Sequence, residues 1–144
     1  MPQRPVRRVI ENRSIVTAAA NTTVIEAARL MLERRIGALP VVDQGRVVGI
    51  FTERDALLRV LAGARDPHTT RLAEVMTPDP QTIHPDQPFA HALHMMYEGG
   101  FRHVPVIENS RVVGVVSVRD ALNPEVEQFT SELRDREHIA EILG

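Results

Sequence analysis

The apolar positions Val24, Ala27, Ala28, Met31 and Leu32 fall at i, i+3, i+4, i+7 and i+8, the spacing of one buried helix face. Arg29, Glu33, Arg34 and Arg35 lie on the other side. Thr22 or Thr23 stands where an N-cap belongs, with Glu26 placed for a capping box, and Gly37 is the expected stop. Beyond it the period changes. Leu39 to Val42 is a short apolar run, Asp43-Gln44-Gly45 has turn chemistry, and Arg46 to Phe51 is a second run, which together predict a β-hairpin. A further helix is predicted from about Glu53 to Ala62, and Ser14-Ile15-Val16-Thr17 predicts a short strand ahead of the first helix. The unit reads strand–helix–strand–strand–helix.

The same plan then recurs. Displaced by 65 residues, Leu39-Pro40-Val41-Val42-Asp43 falls on Val104-Pro105-Val106-Ile107-Glu108. Arg46-Val47-Val48-Gly49 falls on Arg111-Val112-Val113-Gly114, and Thr52-Glu53-Arg54-Asp55-Ala56-Leu57 on Ser117-Val118-Arg119-Asp120-Ala121-Leu122. Phe89, Ala92, Leu93, Met96 and Tyr97 repeat the first helix stripe, with Pro88 at N1 and Gly99-Gly100 as the stop. A period this long is one supersecondary unit per repeat. The pattern divides the chain into an Arg- and Pro-containing arm (1–8), a first repeat (9–62), a linker (63–71), a second repeat (72–123) and a C-terminal helix (124–144) opened by Asn123-Pro124. That last helix carries Val126, Phe129 and Leu133 at near-heptad spacing and must pack on the core or on a partner.

Composition narrows the function. A chain of 144 residues with 43% apolar and 25% charged residues suits one globular domain. No apolar run approaches the ~20 residues of a membrane span, and Met1 to Arg8 has no apolar stretch for a secretory signal, so the expected location is the cytoplasm. The chain has no cysteine, which excludes disulfide and thiolate chemistry. Net charge is −2, with no Trp and one Tyr, against nucleic-acid binding by charge or by base stacking. Every basic residue apart from histidine is Arg. Genomic codon bias is the simpler reading of that, and the fitness of guanidinium for phosphate and carboxylate partners is the sharper one.

The candidate chemistry lies where each hairpin runs into the following helix, at Gly49-Ile50-Phe51-Thr52-Glu53-Arg54-Asp55 and Gly114-Val115-Val116-Ser117-Val118-Arg119-Asp120. A hydroxyl at the N-cap with an acid three residues on is a capping box that needs no ligand. The same atoms also suit a ligand. A helix N-terminus offers unpaired N–H groups to phosphate, a carboxylate one turn on can accept both hydroxyls of a ribose, and Arg54 and Arg119 add positive charge. No catalytic pair, nucleophile elbow or Gly-Lys-Ser/Thr phosphate loop is present.

Two in-register units, each with an apolar-Pro-Val-apolar-acid hairpin and a Gly-x-x-Thr/Ser-x-x-Asp ending, resemble a tandem pair of CBS domains over roughly Val9 to Leu122. Arg136-Glu137-His138-Ile139-Ala140-Glu141-Ile142-Leu143 is similar to the tail of small stand-alone bacterial members. The resemblance implies an α+β (α/β-type) fold in which two repeats pack through their sheets with pseudo-two-fold symmetry. It implies two clefts for AMP, ADP, ATP or S-adenosylmethionine as regulatory ligand, no required cofactor, no catalysis, and modules that pair into homodimers. It assigns ribose to Asp55 and Asp120, and phosphate to Thr52 and Ser117, with Arg54, Arg119 and Arg102 as further phosphate candidates. It places Val16, Thr17, Ala38, Leu39 and Pro40, and Thr82, Ile83, His103, Val104 and Pro105, around the base. A protein target for the signal is a further expected partner; nucleic acid and membrane are not. The alternative is a partner-binding module that works through the C-terminal helix with vestigial clefts.

Some residues depart from the pattern. Ile10-Glu11-Asn12-Arg13 stands opposite Val75-Met76-Thr77-Pro78, and Ala19-Ala20-Asn21 opposite the stretch holding Pro85-Asp86, which puts the first strand's geometry in question. Arg102-His103 has no match in Gly37-Ala38, and reads either as a solvated pair or as a phosphate clamp with a pH-sensitive imidazole. His84, His91 and His94 suit a solvated face better than a metal site.

Overall fold

The chain is described by a computed structural model over residues 4–143. A short helix α1 (Val6–Ile10) leads to β1 (Ala18–Ala19), α2 (Val24–Arg34) and the hairpin of β2 (Ala38–Asp43) and β3 (Arg46–Thr52). One turn of helix, α3 (Glu53–Asp55), continues as a π-helix over Ala56–Leu61. The second half opens with α4 (Leu72–Val75) and β4 (Thr77–Pro78), followed by α5 (Phe89–Gly99) and the hairpin of β5 (His103–Glu108) and β6 (Arg111–Ser117). A 3-10 turn over Val118–Ala121 then feeds α6 (Asn123–Leu143). No helix among the described residues is long and apolar enough to cross a membrane.

Local chemistry explains most of these elements. Thr23 caps α2, its hydroxyl accepting from the Glu26 N–H at 3.3 Å while the Glu26 carboxylate accepts from the Thr23 N–H at 3.1 Å. The stop is not Gly37. Arg35, in left-handed backbone at φ 55°, ends the helix two residues earlier, and Gly100 (φ 73°) does so for α5. Pro88 is the N-cap of α5 rather than its first residue. Both hairpin turns place two consecutive residues at positive φ, Gln44 and Gly45 in one, Asn109 and Ser110 in the other, matching the twist that hairpins favour. Each hairpin also shifts register at the same place, Val41/Val42 and Val106/Ile107.

The strand order of the first sheet is β1-β2-β3-β4, with β1 parallel to β2 and β4 antiparallel to β3. The first strand is therefore Ala18–Ala19, not Ser14–Thr17: Ala18 is the residue that reaches the core. In the second half, β5 and β6 pair alone, and a single parallel bridge from Ile83 to Val106 stands in place of β1.

The cores are assembled by exchange. Leu72 and Val75 of α4 are buried with Val24, Ala27, Met31, Leu39, Val41 and Phe51 of the first repeat. Val6 and Val9 of α1 are buried with Phe89, Ala92, Met96, Val104, Val106 and Val116 of the second. Backbone hydrogen bonds secure both: the N–H groups of Val24 and Leu72 donate to the Thr70 and Thr22 carbonyls, and those of Val6 and Phe89 to the Gln87 and Arg4 carbonyls, all at 2.7–2.9 Å. Arg4 to Arg8 therefore lies against the second repeat, and the linker 63–71 lies against the first, with Thr70 buried. Arg7 fastens α1 further by pairing with Asp86 at 2.9 Å and Glu108 at 2.6 Å. The guanidinium holds the Glu108 carboxyl below its usual range.

Two residues of the helix stripes face outward. Leu32 is 80% exposed and Tyr97 87%. At ~100° per residue, Leu32 lies about 80° round from Val24, on the side away from Ala27 and Met31. The described side chains of α6, Phe129 and residues 131–140 with Ile142, are exposed; Val126 lies outside the residues whose side chains are described.

Candidate nucleotide clefts

The Thr52 N–H and hydroxyl donate to Asp55 Oδ2 at 3.0 and 3.1 Å, and the Asp55 N–H donates to the Thr52 hydroxyl at 3.1 Å. In the second repeat the Ser117 N–H donates to Asp120 Oδ2 at 2.8 Å. Each motif carboxylate is therefore buried at a helix start, with Asp55 8% and Asp120 5% exposed. The preceding loop is tied to each motif in the same way. The Glu53 N–H donates to the Gly37 carbonyl at 3.0 Å, and the Val118 N–H to the Arg102 carbonyl at 3.1 Å.

These ties leave two clefts where the repeats meet. The first, about 850 Å³, brings Thr52, Arg54 and Asp55 together with Asp79 and Gln81 and, from the other repeat, Phe101, Arg102 and His103. The second, about 620 Å³, brings Ser117, Arg119 and Asp120 together with Arg13, Arg35 and Ala38 of the first repeat. Glu53, Arg102 and His103 line both. Each volume lies within the range of small-molecule sites. Each cleft takes its motif from one repeat and its facing wall from the other, so neither exists without the pairing.

Thr52, Arg54 and Asp55 converge on one cleft, Ser117, Arg119, Asp120 and Ala38 on the other, and Arg102 and His103 on both. The rest of the expected base pocket does not converge. Leu39 and Val104 are fully buried in the two cores, Ile83 is 4% exposed in the second, and Pro40 and Pro105 are fully buried. Val16 packs against the first core, and Val16, Thr17 and Thr82 line neither cleft. The period of a strand explains the split at Ala38 and Leu39: neighbours face opposite sides, so only one of each pair can reach a cleft.

Residues that pattern reading did not single out complete the walls. Arg13, Arg35, Glu53, Asp79, Gln81 and Phe101 all line a cleft. Arg13 falls within the departure of the first repeat's opening from the second's, but nothing in that departure points to a cleft. Arg35, Gln81 and Phe101 have no local signature, because they reach the clefts from the opposite repeat, and Glu53, inside the first motif, lines both. Gly37 has a reason of its own: a Cβ there would stand 2.9 Å from Glu53 Oε1.

His103 is held below the usual histidine range by burial, reinforced by Arg102 and opposed by Glu53 and Asp120. Its imidazole is accordingly neutral near pH 7, able to donate at one nitrogen and accept at the other. His84 and His94 are paired with Asp86 and Glu98 instead, and no cluster able to hold a metal occurs among the described residues.

Comparison with known proteins agrees with this plan. The CBS domain family model matches residues 6–62 and 72–125. The CBS domain-containing protein YhcV of Bacillus subtilis is 35% identical over 106 residues, covering 74% of this chain and 75% of its own length. A protein with CBS domains from Burkholderia ambifaria superposes with a TM-score of 0.79 at 32% identity, over 86% of this chain and 95% of that one. The CBS domain pair of protein MJ0100, solved in complex with 5′-methylthioadenosine and S-adenosyl-L-methionine, superposes with a TM-score of 0.76 at 31% identity, over 88% of this chain and 99% of that one. With both halves matched and the exchanged, two-cleft architecture in place, the chain belongs to the CBS-domain family as a tandem pair, a class of regulatory module.

Proposed function

We propose that the pair is a non-catalytic sensor that binds an adenosyl ligand (AMP, ADP, ATP or S-adenosylmethionine) in its clefts and signals by a change of shape or association. The observation that carries this reading is the pair of buried carboxylates, Asp55 and Asp120, each held at a helix start on the wall of a cleft. A carboxylate so placed accepts both hydroxyls of a ribose, while Thr52 with Arg54, and Ser117 with Arg119, receive phosphate. The MJ0100 pair, which binds 5′-methylthioadenosine and S-adenosyl-L-methionine, supports the ligand class. No bond in the ligand is made or broken. The ligand shifts a two-state balance by its difference in affinity for the two states. The setting is the cytoplasm, with two modules associating as a homodimer through exposed apolar residues such as Leu57, Leu58 and Leu61.

A thermal-shift panel of AMP, ADP, ATP, S-adenosylmethionine, NAD and GTP tests this reading, with the Asp55→Ala, Asp120→Ala double variant alongside. A ligand at ~100 times its dissociation constant adds about 2.7 kcal/mol, which raises the midpoint by a few degrees in a domain of this size. A shift with an adenosyl compound that the double variant loses supports the sensor. A flat panel overturns it and favours the second reading, in which α6 binds a protein partner. Phe129, Leu133, Ile139 and Ile142, all exposed, favour that alternative.

A further inference from the structure

The two clefts share a plan but differ in what covers the motif carboxylate. In the first, Asp55 is held from its own turn by Thr52, with Arg59 of the same helix at 3.6 Å. In the second, a guanidinium arrives from 107 residues away. Arg13 Nη2 lies 2.5 Å from Asp120 Oδ1 and Nη1 lies 3.2 Å from Oδ2, the two-point contact natural to a guanidinium and a carboxylate. Arg4 Nη2 donates to the Asp120 carbonyl at 3.1 Å. The Asp120 side chain is 7% exposed and that of Arg13 38%, so the carboxylate faces the guanidinium while the arginine keeps room to move.

Arg13 stands on irregular chain between α1 and β1, next to Asn12 in left-handed backbone. The corresponding run at the first cleft includes β4 and supplies Asp79 instead. Charge follows this difference. Arg54, Arg59 and Arg102 face Glu53, Asp55 and Asp79 in the first cleft. In the second, Arg13, Arg35, Arg102 and Arg119 face only Glu53 and Asp120. The first is balanced and the second is a surplus of guanidinium, suited to phosphate oxygens.

We infer that Arg13 is a specificity gate on the second cleft. It covers the carboxylate that would take the ribose, and yields only to an adenosyl ligand whose phosphates replace Asp120 as its partner. The first cleft, whose carboxylate meets only the longer 3.6 Å single-point contact of Arg59 from its own helix, accepts adenosyl ligands without phosphate. This rests on the nucleotide-binding reading above and adds an order of filling and a ligand preference to it.

Calorimetric titration of the full chain with adenosine, ATP and inorganic tripolyphosphate is the test, on the wild type and on Arg13→Ala, with Arg13→Gln as a second variant of closer size should the first fold poorly. The wild type is expected to bind adenosine in one cleft, lost in Asp55→Ala, and ATP in two. The Arg13 variants are expected to bind adenosine in both, the second cleft gaining on the order of tenfold in affinity from release of the charge-assisted pair. Adenosine filling both clefts of the wild type, or one cleft in every Arg13 variant, overturns the gate. Should no adenosyl compound bind at all, the sensor reading fails and tripolyphosphate decides the gate separately. Binding weakened on the order of tenfold by loss of Arg13 upholds its phosphate-seeking role; unchanged or absent binding refutes it.

Discussion

Met76 lies directly over Gly49. A Cβ placed on that glycine would collide with the Met76 sulfur and stand 3.0 Å from the Thr77 carbonyl oxygen. Gly114 bears the same relation to Ile10, at 3.0 Å. In both sheets, then, the residue opposite the hairpin bulge is a glycine because a segment exchanged from the other half crosses it. Gly49→Ala forces Met76 and β4 to move, and is expected to cost about 1–3 kcal/mol. Gly114→Ala is expected to cost less, since its contacts are all with the Ile10 side chain. Urea denaturation of the two variants checks the order.

The exchange of α1 and α4 makes each core depend on residues remote in sequence. Leu72→Ala is expected to destabilise by about 2–5 kcal/mol, although Leu72 lies outside the first repeat as the sequence divides it. Hydrogen exchange should show the loss of protection on α2 and β2 rather than on α5. Val6→Ala should act on α5 and β5 in the opposite sense. Equal loss across both halves in either variant would contradict the separate cores.

The stripes of α2 and α5 predict a contrast within one helix. Met31→Ala is expected to cost about 2–5 kcal/mol. Leu32→Gln, one residue on, is expected to fall within about 0.5 kcal/mol of wild type. Tyr97→Gln should match Leu32→Gln, being its counterpart in the repeat. Thermal unfolding over a range of protein concentrations separates these effects from any on association.

His103 predicts a pH dependence whose sign follows from its burial. Its folded pKa lies below the unfolded value of about 6.5, so the unfolded chain binds the proton more readily. The stability associated with His103 is complete above about pH 6.5 and is lost as the pH falls from there through the folded pKa. His103→Gln is expected to flatten that part of the stability–pH curve. A curve unchanged by the substitution would place the titration elsewhere.

Much of the site was legible because its key residues form a local signature. A hydroxyl three residues before an acid at a strand-to-helix junction reads as a cap from spacing alone, and Thr52 with Asp55 closes in that way. The base pocket was less legible. Leu39, Pro40, Val104 and Pro105 are near the clefts in sequence but buried in the structure. Arg13 and Asp79 belong to the walls through crossings that no local pattern reveals.

The repeat, most of each helix stripe, the hairpins with their turns and the positions of the two motif carboxylates were all legible in the spacing of residues along the chain. Each of these depends on interactions between residues close along the chain, whose chemistry is set by spacing. The exchange of α1 and α4, the choice of Ala18–Ala19 rather than Ser14–Thr17 as first strand, and the meeting of Arg13 with Asp120 across 107 residues emerge only in the folded chain. Those outcomes depend on which of two similar apolar faces a segment covers. The winner is settled by close packing over the whole core and by the pairing of buried charge, quantities that no window of sequence contains.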